Sequence, residues 1–150
     1  MLEQSSPFDV FNFEGHISPS KSEWIRALIL KSYEPRIQIK HVGPKSITVA
    51  DDIRAAIQGI RQLMEGDVVD VGESAATLRF LTLRASRMTG RHTFRLGHTL
   101  IQRSHVGLVR LLGQLSVKSC FDGHLFHLDS DGWAIPPDPL IVETSHTSQY

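Results

Sequence analysis

The sequence predicts an α/β (α+β) chain built from repeated units. Segments with an apolar residue at every third or fourth position take turns with short segments that alternate at every second position. Ser, Asp, Gly and Pro stand where those segments should start and stop. Two stretches, PSKSEWIRALIL (Pro19–Leu30) and GESAATLRFLTL (Gly72–Leu83), share one shape, and the offset between them, ~53 residues, suits one supersecondary unit.

The elements follow in order. Ser20-Lys21-Ser22-Glu23 is a capping box, with the Ser20 hydroxyl set to take the N–H of Glu23. The helix it opens runs to about Tyr33, where Pro35 stops it. RIQIKHV (Arg36–Val42) sets Ile37, Ile39 and His41 against Gln38 and Lys40, the period of a strand. Asp51 or Asp52 opens a second helix whose apolar face is Ile53, Ala56, Ile57, Ile60 and Leu63. DVVDVG (Asp67–Gly72) is a short strand. Ser74 opens a third helix with Leu78, Leu81, Ala85 and Met88 on one stripe and Gly90 at its end.

RHTFRL (Arg91–Leu96) alternates again. A fourth helix covers about Ser104 to Leu115 and carries Val106, Val109, Leu112 and Leu115. HLFHL (His124–Leu128) and PLIVET (Pro139–Thr144) read as strands, joined by the turn-rich DGWAIPPDP. Each half thus reads helix–strand–helix–strand, with room for a further strand. Unit one spans about 17–72 and unit two about 73–139. A third unit begins over 140–150, where a strand leads into small polar residues, so we expect the chain to be part of something longer.

Composition narrows the function classes. With 150 residues the chain can bury a real core. Its 41% hydrophobic and 21% charged content is that of an ordinary globular protein. Sixteen basic and 16 acidic residues balance to zero, which argues against a bulk nucleic-acid binder but permits a local basic pocket. The single cysteine, Cys120, excludes an intrachain disulfide and suits a reducing compartment. The N-terminus has no signal-peptide pattern, and no stretch reaches the roughly 18 apolar residues of a membrane span. A cytoplasmic protein is expected, with no nucleic-acid or membrane partner. No cofactor is expected either. Metal binding is disfavoured: His124 and His127 stand three apart on a strand and face opposite ways.

Lys21 and Arg26 raise a specific question. They occupy the first two turns of a helix, where the backbone N–H groups already carry about half a positive charge. Either they are solvated surface charges, or an anion sits there.

The segments answer together. PSKSEWIRALIL resembles the Lys-Ser-x-x-x-Arg segment of the EPSP synthase (3-phosphoshikimate 1-carboxyvinyltransferase) family. DDIRAAI resembles that family's Asp-Asp helix start, GESAATLRFLTL its Gly-Asn-Ala-Gly-Thr segment with a following arginine, and SHTSQY its Ser-Ser-Gln segment. The four stand in the family's order across nearly the whole chain.

The resemblance implies an enolpyruvyl transferase of aromatic amino acid biosynthesis. Such an enzyme joins phosphoenolpyruvate to the 5-hydroxyl of shikimate 3-phosphate. It also implies an inside-out barrel of βαβαββ-type units, helices inside and sheets outside, with substrates between two domains. By resemblance Lys21 contacts both substrates and is the catalytic candidate. Ser22, Arg26, Thr147, Ser148 and Gln149 would hold shikimate 3-phosphate, and Glu73, Ser74, Ala75 and Ala76, with Arg79 and Arg103, would line the phosphoenolpyruvate side. From the residues alone, Lys21, Arg26 and Arg79 also read as surface charges, and Thr147, Ser148 and Gln149 as a plain capping sequence.

Departures from the pattern matter as much. Ala75 stands where the family has glycine, so a methyl would crowd phosphoenolpyruvate. Glu73 stands where it has asparagine, and a carboxylate there should repel anions. The family's phosphoenolpyruvate arginine aligns with His98 or Thr99 in LGHTLIQR, while Arg103 matches a different one. The stretch between Leu63 and Gly72 is shorter than usual. Three outcomes follow as expectations: an EPSP synthase part inactive alone, a non-catalytic binding module on the same fold, or an enolpyruvyl transferase with another acceptor. Self-association through an incomplete repeat is also expected.

Overall fold

The computed structural model describes residues 20–39 and 49–142. Within them the order is α1 (Lys21–Tyr33), α2 (Asp51–Glu65), β1 (Val69–Gly72), α3 (Ala75–Ala85), β2 (Gly90–Leu96), α4 (Val106–Gln114), β3 (Lys118–Asp122) and β4 (Leu125–Ser130). The architecture is mixed α/β, and from β1 onward the order is βαβαββ. The strands form one sheet, β1-β2-β4-β3. β1 and β2 run parallel, and β4 is antiparallel to both its neighbours.

Local chemistry explains the helix ends. Ser20 Oγ accepts from the Glu23 N–H at 3.5 Å, and Ser74 Oγ accepts from the Thr77 N–H at 3.2 Å. These are the two side-chain caps that the sequence pattern predicts. α2 has Ala50 at its cap with no side-chain bond, and Asp51 and Asp52 in its first turn answer the dipole instead. Gly66 ends α2 at φ 79°, a left-handed position that favours glycine, and the Asp67 N–H reaches Gln62 O at 2.9 Å.

One face of the sheet is the core. Val69, Val71, Phe94, Leu96, Phe126 and Leu128 are all buried there against α2, α3 and α4. The opposite face is polar by register. Asp70 pairs with Arg95 at 3.7 Å, Asp129 stands between Arg91 and Lys118, and His127 between Thr93 and Cys120. α1 packs on α2 and α3, and its one buried residue, Ile25, meets Ala56 and Ala76.

Several expectations need correction. Residues 36–39 of the predicted strand Arg36–Val42 form none, because Glu34 turns the chain by bonding Arg36, and Lys31 Nζ donates to Ile37 O. Residues 40–42 lie outside the described ones. PLIVET is no strand over 139–142; both backbone groups of Ile141 are bonded by the Gln114 side-chain amide, at 2.7 and 2.8 Å. α3 ends at Ala85 rather than Gly90, since Ser86 turns the chain and Gly90 already begins β2. β3 was not predicted. Ile57 and Val106 are exposed, at 50% and 51%, rather than core-facing. Among the described residues no helix is long and apolar enough to cross a membrane.

Gly59 makes the α2–sheet contact possible. A Cβ there would stand 2.6 Å from Leu81 Cδ1 and 3.2 Å from Val69 Cγ1, both on fully buried residues. Gly59→Val is therefore expected to destabilise the fold by about 2–3 kcal/mol through overpacking. A lowered urea midpoint would read this out; an unchanged midpoint would mean that the contact is loose.

Candidate functional site

Three helix starts converge on one cleft. It is lined by Lys21 at the start of α1, Asp52 at the start of α2, Ala75 and Ala76 at the start of α3, and Glu73, Arg79, Arg103 and Ser104 around them. Its volume is about 600 Å³. The convergence is built by hydrogen bonds. Thr77 Oγ1 donates to Asp52 O at 3.2 Å, tying the start of α3 to α2, and Lys21 Nζ lies 2.6 Å from Asp52 Oδ2, tying α1 to α2.

The cleft is positive on balance. Lys21, Arg79 and Arg103 stand against Asp52 and Glu73. The first-turn N–H groups of α3 add partial positive charge, since the first N–H groups of a helix lack intrahelical acceptors. Thr77 and Leu78 have theirs taken by Ser74. Those of Ala75 and Ala76 belong to residues that line the cleft itself.

Both carboxylates are held in the charged form. Burial acts to raise the Asp52 carboxyl, but hydrogen bonds from Lys21 and Ser74, with the Lys21 and Arg103 charges, outweigh it and hold it below the usual range. Glu73 is lowered chiefly by the Thr99 hydroxyl, against a desolvation effect, with backbone N–H groups of 98–100 adding to the lowering. Behind the cleft His105 donates from Nε2 to Leu100 O at 2.9 Å and stacks on Phe121, ring centres 5.2 Å apart. Burial lowers the His105 pKa; the Leu100 bond opposes this, and Arg79 and Arg103 add repulsion to the lowering.

Of the residues predicted for the phosphoenolpyruvate side, Lys21, Glu73, Ala75, Ala76, Arg79 and Arg103 line this cleft, while Ser74 is buried as the cap of α3. The Ala75 methyl stands on its wall. Ser22 and Arg26 do not line it; Ser22 is half-buried and Arg26 exposed, further along α1. Thr147, Ser148 and Gln149 lie outside the described residues. Two lining residues were missed. Asp52 was read as a helix start, and its acidic position opposite a lysine-led helix was the available signal. Ser104 carried no signal. Glu73 departs most from expectation: its carboxylate is turned to the turn at Thr99 and Leu100, which donate to it at 2.5–3.3 Å.

His98 and His124 stack with ring centres 6.4 Å apart, but among the described residues no group of three or more His, Cys, Asp or Glu is placed to hold a metal. Compared with known proteins, the chain matches no family model, no curated protein and no solved structure.

Proposed function

We propose that the chain carries, in its cleft, the phosphoenolpyruvate half of an enolpyruvyl transferase site of the EPSP synthase type, and that it does not turn over substrate by itself. One observation carries the reading: the starts of α1, α2 and α3 meet at a cleft lined by Lys21, Arg79 and Arg103. A helix start offers N–H donors and partial positive charge, and guanidinium groups match phosphate and carboxylate oxygens in pairs. Phosphoenolpyruvate carries both anions on three carbons. The βαβαββ order of β1–β4 is, on this reading, one repeat of the family's inside-out barrel. The shikimate 3-phosphate half rests on the sequence resemblance of Ser22, Arg26, Thr147, Ser148 and Gln149.

A specific observation favours binding over turnover by the 150-residue chain. Enolpyruvyl transfer needs an acid to protonate the methylene carbon and a base for the attacking hydroxyl. The two carboxylates of the cleft are both engaged, Asp52 by Lys21 and Glu73 by Thr99 and Leu100, and both are shifted toward the charged form, which has no proton to give. A non-catalytic binding module is therefore the second reading.

Isothermal titration of the purified chain with phosphoenolpyruvate, and separately with inorganic phosphate, tests the first claim. Saturable binding of phosphoenolpyruvate, tighter than phosphate, is expected; no binding of either would sink the anion reading. A phosphate-release assay with shikimate 3-phosphate added is expected to show no turnover. Turnover dependent on both substrates would remove the module reading.

A further inference from the structure

We infer that Glu73 is a positioning residue that holds the 97–104 turn so that Arg103 is delivered into the cleft. This rests on the anion-binding reading above. Charge alone gives the opposite expectation, because a carboxylate on the wall of an anion cleft should oppose the ligand. The geometry gives it another task. Glu73 Oε2 accepts from the Leu100 N–H at 2.8 Å, the Thr99 N–H at 3.1 Å and the Thr99 hydroxyl at 2.5 Å. Its other oxygen lies 3.3 Å from the Thr99 N.

The rest of the turn hangs from those bonds. The Arg103 N–H donates to Leu100 O at 3.1 Å, and the His105 ring holds the same carbonyl from the far side at 2.9 Å. At its start, the Gly97 N–H donates to Gly72 O at 2.7 Å, beside Glu73. Gly97 has to be bare, since a Cβ there would occupy the space of the Glu73 carboxylate. Leu100 is thus clamped on both backbone groups, and Arg103 follows three residues later, on the cleft wall. Remove Glu73 and the N–H groups of Thr99 and Leu100 and the Thr99 hydroxyl lose their acceptor, so the turn loses its fixed point.

The test is a double-mutant cycle read by phosphoenolpyruvate titration. Glu73→Ala is expected to weaken binding about tenfold although it removes a negative charge from the cleft. Arg103→Ala should weaken it by a similar factor. The double variant should bind within about twofold of Arg103→Ala alone, because the two act through one contact. Tighter binding by Glu73→Ala, or losses that simply multiply, overturns the inference. Thr99→Val removes one donor but leaves the carboxylate in place. It should weaken binding in the same direction, and it carries the cycle if Glu73→Ala does not fold.

Amide hydrogen exchange at Thr99 and Leu100 gives a readout without ligand. It should quicken in Glu73→Ala and in Thr99→Val. If the unaltered chain binds no phosphoenolpyruvate, the cleft reading has failed, and unchanged exchange at these two amides would sink the clamp as well.

Discussion

Phe126→Ala is expected to cost about 3–5 kcal/mol of folding stability. That is a large part of the about 5–15 kcal/mol that holds an ordinary domain together. Phe126 lies on β4, which has a strand on either side, and it is fully buried. Its ring centre stands 4.5 Å from that of Phe121 and 6.2 Å from that of Phe94, at tilted angles that such pairs favour. Truncation therefore removes buried area and leaves a void between three strands. A urea titration should show a sharply lower midpoint with unchanged slope. Ile57→Ala serves as control: Ile57 is apolar but half exposed, so its loss should change stability by about 0.5 kcal/mol or less. A Phe126→Ala variant as stable as the control would mean that the aromatic row is not where the fold is held.

The contrast between Phe126 and Ile57 also marks what the sequence could reveal. Where side chains state their own business locally, the reading holds. Ser20 and Ser74 cap helices because a hydroxyl three residues from a first-turn N–H has one good use. β2 was legible because its alternation meets a buried face on one side only. β3 was not, because Lys118–Asp122 is an edge strand with four of its five residues exposed, so no apolar period marks it. Ile37, Ile39 and the 140–142 run show the converse: an apolar alternation makes a strand only when a neighbour offers a ladder.

The candidate site divides the same way. Lys21 could be singled out because a cation in a first helical turn is out of place, and Ala75 and Arg79 through the sequence resemblance; their gathering follows once α1, α2 and α3 pack at their N-terminal ends. What stayed hidden was pairing across 26 to 31 residues: Lys21 with Asp52, and Glu73 with Thr99. Sequence gives a carboxylate a sign but not a direction. The sign alone made Glu73 an obstacle to anions; the direction of its oxygens makes it part of the turn that carries Arg103.

Lys21→Ala is expected to be the most damaging single change to anion binding, weakening phosphoenolpyruvate about a hundredfold. The size comes from counting two charges rather than one. The ammonium is lost, and the Asp52 carboxylate, which it covers at 2.6 Å, is left uncompensated on the cleft wall. Stability should fall by only about 1 kcal/mol or less, because the Lys21 side chain is half exposed and surface pairs contribute little. Adding Asp52→Asn should recover about tenfold of the lost affinity, since it deletes the exposed negative charge without restoring the positive one. In Lys21→Ala, Asp52 also loses its strongest lowering partner, so burial can raise its carboxyl. Affinity in that variant should then improve as pH falls and Asp52 takes up a proton, over a range in which the unaltered chain, with Asp52 held ionised, improves less. Equal pH dependence in the two proteins, or no recovery in the double variant, would mean that Lys21 meets the anion without Asp52 in play.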